Sequence, residues 1–193
     1  MRKISAFIVT ALMLIVGFRY SWLTWQGEIQ PVLATWLLFL VAVFLSFMTY
    51  WSTEKHSFTG NIINTTDLFN MCLIMFSIIV LGKNTILEFN AFDISCLVAS
   101  GIILVFWRLS KMHVIANLAL QGIMTVAYFP TIYRLWHTKT NTEQFGVWIL
   151  VWIASAVALI PAYINRDKLG MIYASRSLTM VSVVLILMLI IYF

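Results

Sequence analysis

Residues 127–136 read AYFPTIYRLW, and a polar stretch, 137–144, separates them from an apolar segment that begins near Trp148. Residues 17–25 read GFRYSWLTW and stand in the same relation to a second apolar segment, which begins near Trp36. The two tryptophans are 112 positions apart, and one further apolar segment lies between the two copies. Internal repetition of hydrophobic segments is typical of membrane proteins that carry small solutes.

The composition of the chain indicates a membrane protein. Apolar residues make up 62% of the sequence and charged residues 10%, whereas a soluble domain has roughly 45–50% and about 25%. The formal charge of +5 comes from basic residues that are scattered among the loops, so a nucleic-acid partner is not expected. With 193 residues and seven apolar segments, the sequence predicts a single membrane domain, residues 1–193.

The predicted fold is an all-α membrane protein with seven transmembrane helices. A hydrocarbon core needs about 20 residues per helix, and the candidate spans are Ile4–Phe18, Leu33–Trp51, Asn61–Leu81, Asp93–Arg108, Val114–Leu135, Gly146–Ile164 and Gly170–Phe193. The repeat divides them into a first unit (1–82), a linker helix (91–108) and a second unit (114–193). Because the linker is one helix, the two three-helix repeats are predicted to be parallel, in a 3+1+3 arrangement.

The basic residues predict an orientation, since cytoplasmic loops carry an excess of Lys and Arg. The N-terminus and the loops after spans two, four and six carry seven: Arg2, Lys3, Lys55, Arg108, Lys111, Arg166 and Lys168. The opposite loops carry four: Arg19, Lys83, Arg134 and Lys139. We therefore expect an integral protein of the cell (inner) membrane, with a cytoplasmic N-terminus and an external C-terminus.

The segment 127–136, with the residues that follow it, resembles the PQ-loop motif, in which a helix ends in Pro-Gln before a short basic loop. The following residues are Lys139, Thr140, Glu143 and Trp148. With the 3+1+3 repeat, the chain is similar to the SWEET-like group, which holds sugar facilitators, the vitamin transporter PnuC, the lysosomal cystine transporter and the KDEL receptor. Thr131 stands where the family has Gln, and Gly17 is the counterpart of Pro130. The resemblance implies a carrier or a receptor.

Four polar residues recur at intervals of three near the start of span three: Asn61, Asn64, Asp67 and Asn70. This spacing places them on one helix face, which is predicted to face the bundle interior or a wet cavity. The resemblance implies that Asn64 or Asn70 helps to bind substrate, while span seven offers Arg176 instead. Capping of the helix by Asn61 and Asn64 stays open as an alternative.

Asp67 and Arg176 are predicted to lie at the same depth. Each is the seventh residue of its span, so each lies roughly 10 Å into a helix that rises about 1.5 Å per residue. Two arrangements stay open for these charges: an ion pair between the repeats, or a charged lining that binds a polar or anionic solute.

Further candidates for substrate binding lie in spans five and six. Trp148 and Trp152 offer flat faces, although tryptophans near span ends also form interfacial belts. Tyr128 combines a ring with a hydroxyl that needs a partner when buried. Gln121 is a solute contact or a hydrogen bond between helices. Pro130 removes a backbone hydrogen bond, which predicts a hinge or a static kink.

The sequence predicts no catalytic residue, no metal site and no cofactor. It contains no paired carboxylates within a span, and no His lies beside a Ser or Cys there. A retinal-based light sensor is also excluded, because span seven contains no lysine for a Schiff base. The predicted function is therefore a carrier that moves a small polar metabolite by alternating access. A receptor or sorting protein without transport remains the alternative. The expected partners are the lipid bilayer and the solute, and a homo-oligomer stays open.

Overall fold

The computed structural model describes residues 2–31, 33–82, 89, 91–138 and 143–192, and the regular structure in this part of the chain is helical. It forms eight helices: α1 (Arg2–Gln26), α2 (Leu33–Trp51), α3 (Ile62–Leu81), α4 (Ala91–Ser110), α5 (His113–Val126), α6 (Phe129–Thr138), α7 (Phe145–Ile164) and α8 (Lys168–Tyr192). Five predicted spans agree with helices to within two residues at each end. The first and fifth spans differ.

The first helix continues beyond its predicted end at Phe18. It runs to Gln26, and Arg19 is an exposed residue within it, whose Nε donates a hydrogen bond to Gln144 Oε1 at 2.8 Å. Tyr20 is buried against the neighbouring helices. A charged residue near a membrane surface therefore does not end this helix, since a long side chain can extend to the interface.

The fifth predicted span is two helices. α5 ends at Val126, Ala127 and Tyr128 form a turn, and α6 begins at Phe129. Pro130 is the second residue of α6, where its missing N–H is tolerated because the first turn of a helix has no internal partners for its N–H groups. The side chain of Pro130 lies outside the part of the chain that the structure describes. The proline thus stands at the start of a new helix.

The helices pack in a reciprocal pattern. α3 packs against α1 and α2, and α8 packs against α7, α5 and α6. Between these groups, α1 packs against α7, and α2 packs against α5, while α4 lies against α5 and α2. Three alanines at intervals of four, Ala154, Ala158 and Ala162, are fully buried on α7. Such small residues allow neighbouring helices to approach closely in membrane proteins.

The exterior of the bundle is apolar and much of its interior is polar. Large side chains such as Phe7, Ile79 and Ile102 are more than 60% exposed, whereas Asn64 and Asn70 are almost completely buried. Four helices are long and apolar enough to cross a membrane: Lys3–Gln26, Ile62–Leu81, Phe145–Ile164 and Lys168–Tyr192. This arrangement is compatible with an integral membrane protein.

One end of the bundle is closed by a buried polar cluster formed by Tyr50, Ser57, Gly60, Asp167 and Gly170. We call it the N-terminal cluster, since it lies at the end where α1 begins. The Tyr50 hydroxyl donates to the carboxylate of Asp167 and accepts from the Ser57 N–H at 2.6 Å. Asp167 also caps α8, because its Oδ1 accepts from the Gly170 N–H at 2.9 Å. The cluster ties the α2–α3 loop to the start of α8.

Candidate functional site

A cavity lies between α1, α2, α3, α7 and α8, beside the turn between α5 and α6. Its volume is about 60 Å³, counted as the space open to the centre of a water molecule. A single water needs roughly 10–15 Å³ in this measure, so the central cavity holds only a few waters. Its lining includes both charged residues that the sequence placed within spans, Asp67 and Arg176.

Tyr173 on α8 contacts both charged residues that line the central cavity. The Tyr173 hydroxyl donates to Asp67 Oδ2 at 2.7 Å. The guanidinium carbon of Arg176 lies 4.7 Å from the centre of the Tyr173 ring, within the range of a cation–π interaction. Tyr173 is itself almost completely buried. Its two contacts therefore connect α3 with α8 and fix both charged groups.

A second set of contacts, which begins with Gln121 on α5, holds the Arg176 side chain in position. Its Nε donates to Gln121 Oε1 at 3.0 Å, and Gln121 Nε2 donates to Ser46 Oγ at 3.0 Å. The same hydroxyl oxygen accepts from Asn64 Nδ2 at 3.2 Å and from Asn117 Nδ2 at 3.3 Å. Ser46 on α2 is thus the meeting point of α3 and α5. The guanidinium is positioned by a buried polar network that spans four helices.

Two residues that line the central cavity each carry a buried donor without a hydrogen-bond partner among the described residues: Trp148 Nε1 and Arg176 Nη1. Asn70 also lines the cavity, but its amide is turned towards α1: its Nδ2 donates to the Met13 carbonyl at 2.7 Å, and its Oδ1 lies against Gly17. A buried polar atom without a partner costs about 1–3 kcal/mol. The two donors of Trp148 and Arg176 are therefore groups that a polar solute or water could satisfy.

Five aromatic side chains that line the cavity form a connected series, which we call the aromatic wall. The ring centres of Tyr20 and Trp36 are 4.7 Å apart, and those of Trp36 and Phe39 are 6.2 Å apart. Phe39 contacts Tyr128 at 5.1 Å, and Tyr128 contacts Trp148 at 6.1 Å. These distances lie in the usual range for aromatic pairs. The five rings offer flat apolar faces in the same lining as the charged residues.

No family model matches the chain, and no curated protein and no solved structure is similar to it. The geometry of the cavity is therefore the basis for assigning a function. Within the described ranges, no group of three or more His, Cys, Asp or Glu side chains is placed to hold a metal ion. The groups available for chemistry are hydrogen-bond donors and acceptors, one carboxylate, one guanidinium and aromatic faces.

Five of the eight residues that the sequence predicted for substrate binding lie together in the structure. Those that line the central cavity are Asp67, Asn70, Tyr128, Trp148 and Arg176. Asn64 and Gln121 lie behind the cavity in the polar network, where each donates to Ser46.

Trp152 does not line the cavity. It is 40% exposed, and its indole N–H donates to Ser182 Oγ at 2.8 Å. The cavity face of α7 carries Trp148, Val151 and, further along, Ser155, which contacts Ser177. Position 152 lies about 100° around the helix from position 151, so its side chain points along the flank of α7 towards α8.

Sequence reasoning missed Tyr173, Ser46 and Phe39. Tyr173 precedes Arg176 by three residues and therefore shares its helix face, which was a usable signal. The sequence contains no comparable signal for Ser46, because a lone serine within an apolar helix usually forms a hydrogen bond to its own backbone. Phe39 resembles any apolar core residue, and only the packing shows that it faces the cavity.

Proposed function

We propose that the protein is an integral membrane carrier for a small polar solute with an anionic group, and that the central cavity is its binding site. The observation that carries the proposal is the pair of donors, Trp148 Nε1 and Arg176 Nη1, that belong to residues lining one cavity and have no hydrogen-bond partner among the described residues. Arg176 attracts an anion, since guanidinium donors bind carboxylates and phosphates strongly. The aromatic wall provides a surface for the apolar part of the solute.

The pattern of helix packing supports the 3+1+3 interpretation. In each proposed unit the third helix, α3 or α8, packs against the first and second helices of its own unit. The first helix of each unit packs against the second helix of the other, as α1 with α7 and α5 with α2. Two parallel repeats related by an axis along the membrane normal would give this reciprocal pattern. The cavity lies between the proposed units.

A conformational change such as alternating access would be needed because the cavity is small. Its volume of about 60 Å³ is far smaller than the roughly 300–1,000 Å³ of a typical ligand pocket. Binding would therefore require the units to separate at one end. The N-terminal cluster would be one gate, and the layer formed by Tyr20, Trp36, Tyr128 and Trp148 would be the other. The turn at Ala127 and Tyr128, just before Pro130, would serve as the hinge in α5–α6.

Trp148→Phe tests the proposed site, because it keeps the ring and removes the unpaired N–H. A metabolite that stabilises the purified protein against heat is first found in a screen of carboxylates, sugars and amino acids. We expect Trp148→Phe to weaken its binding about tenfold, since a hydrogen bond contributes about 1–1.5 kcal/mol. Trp152→Phe is the matched control, and its affinity for the metabolite should stay within twofold of wild type.

The same variants in liposomes separate a carrier from a receptor. A carrier gives saturable uptake of the labelled metabolite, and Trp148→Phe raises the concentration needed for half-maximal uptake. Binding without uptake into liposomes would contradict transport and favour the receptor alternative. Equal effects of Trp148→Phe and Trp152→Phe would contradict the central cavity as the binding site.

The proposed orientation has its own test. With an odd number of spans and a cytoplasmic N-terminus, a reporter fused after Phe193 is expected on the external side of the membrane. Alkaline phosphatase fused there should be active, because it folds only outside the cytoplasm, and green fluorescent protein should be dark. Activity of the fluorescent fusion with an inactive phosphatase would contradict the orientation or the seven-span count.

A further inference from the structure

A large groove lies at the same end of the bundle as the N-terminal cluster, but on its outer surface. Its volume is about 970 Å³, and it is bordered by the α2–α3 loop, the α4–α5 connection and the start of α8. Four exposed cations line it: Lys55, Lys111, Arg166 and Lys168. The acids that line it are Glu54 and Asp167, and the Asp167 carboxylate already accepts hydrogen bonds from Tyr50 and Gly170. This basic groove therefore carries an excess of positive charge.

The four cationic side chains are not engaged elsewhere within the described part of the chain. No hydrogen bond or ion pair joins them to another described side chain. Four like charges around one groove repel each other, and an anion placed between them would remove that repulsion. The groove is thus complementary to a negatively charged group.

The backbone at two of these cations adds independent support. Lys111 has φ 57° and Arg166 has φ 52°. Lys111 directly follows α4, and Arg166 lies two residues after the end of α7, at positions where such a left-handed residue is usually Gly or Asn. A side chain with a Cβ costs about 1–2 kcal/mol more than Gly in this conformation. Among the described non-glycine residues, these two alone have positive φ. Both line the basic groove, so long basic side chains occupy the positions where glycine would be more stable.

An apolar wall adjoins the cationic rim along the first turns of α5 and α8. It is formed by half-exposed side chains of α5 and α8: Val114, Ile115, Leu118 and Ile172. An inorganic anion would use only the rim. A molecule with a phosphate and long acyl chains would use both the rim and the wall.

We propose that the basic groove binds an anionic phospholipid, with its phosphate among the rim cations and an acyl chain along the apolar wall. Basic pockets beside transmembrane helices bind acidic headgroups through the same chemistry. Each cation near a membrane surface contributes about fivefold to affinity for acidic lipid. The proposal does not depend on solute transport through the central cavity.

The test uses the full-length protein in detergent, titrated with dioleoyl phosphatidylglycerol or dioleoyl phosphatidylcholine, with bound lipid counted by native mass spectrometry. We expect selective binding of phosphatidylglycerol. Lys111→Gln combined with Lys168→Gln should weaken this binding roughly 25-fold, which is fivefold for each of two cations. The control variant, Lys3→Gln with Arg108→Gln, removes the same charge from exposed residues that do not line the groove. Its affinity should stay within twofold of wild type.

A third ligand distinguishes a lipid from a free anion. Glycerol phosphate offers the anionic headgroup without acyl chains, and we expect it to bind at least tenfold more weakly than phosphatidylglycerol. Equal affinity for the two would overturn the lipid assignment in favour of a soluble anion. Equal losses in the groove and control variants, or equal binding of the two phospholipids, would also overturn the proposal.

Discussion

Replacing Arg176 with glutamine is expected to weaken binding of a solute in the proposed site by about tenfold to a hundredfold. The substitution removes the charged donor that faces the central cavity, and a hydrogen bond to a charged group contributes about 1.5–3 kcal/mol. Glutamine keeps an N–H donor on the α8 face that contacts Gln121. Removing a buried charge also lowers the cost of insertion into the bilayer, so expression should not fall. Solute titration and the melting temperature, measured on one preparation, separate binding from stability.

Asp67→Asn is the companion variant, because the amide oxygen can still accept from the Tyr173 hydroxyl. Arg108→Gln, at an exposed position outside the cavity, is the control for loss of one positive charge. The exchanged pair, Asp67→Arg with Arg176→Asp, is expected to be less stable than wild type, since a carboxylate would then lie over the negative face of the Tyr173 ring. Normal binding by both single variants would exclude the two charges from the site.

Gly170→Ala is expected to destabilise the protein although alanine is the better helix former. A Cβ at this position would lie 2.7 Å from the carbonyl oxygen of Gly60 and 3.1 Å from the Asp167 carboxylate. The backbones of the α2–α3 loop and α8 would have to separate, and such overpacking costs about 1–3 kcal/mol. For a chain of this size each kcal/mol lowers the melting temperature by about 2–4 °C, so we expect a fall of roughly 2–12 °C.

Gly122→Ala is the matched control, because Gly122 lies within α5 and a Cβ there would meet no atom within 4 Å. Alanine is more favourable than glycine within a helix by up to about 1 kcal/mol, so the melting temperature of this variant should stay the same or rise. A rise for both variants would show that the close approach of Gly60 and Gly170 is not maintained in the folded protein.

The sequence predicted the positions of most helices because each is a long apolar segment bounded by polar loops. The ends of α1 and α5 could not be predicted in this way. Arg19 ends the apolar run but not the helix, since its side chain reaches Gln144. Pro130 was assigned to a helix interior, but α6 begins one residue before it. Both differences arise from backbone and side-chain contacts that hydropathy does not describe.

The position of a residue along a helix could be predicted better than the side of the helix on which its side chain lies. Asp67 and Arg176 are each the seventh residue of their predicted spans, and both line the central cavity. This prediction succeeds because the rise per residue is nearly constant along a helix. Trp152 was chosen for its depth, and its face of α7 is turned away from the cavity. Rotation depends on which neighbours a helix packs against, and the sequence of one helix does not contain that information.

The two ends of the bundle are held together by contacts of unequal strength. At one end Tyr50 and Asp167 meet in a buried contact, and a buried hydrogen bond to a charged group contributes about 1.5–3 kcal/mol. At the other end Arg19 and Gln144 form an exposed hydrogen bond, and exposed charged contacts contribute about 0.2–1 kcal/mol. A difference of about 1–2 kcal/mol corresponds to roughly a five- to thirtyfold ratio of populations. These two contacts, taken by themselves, therefore favour opening at the Gln144 end. In the proposed carrier, this inequality would favour capture of solute from that side, whereas the solute gradient alone would determine the direction of net movement.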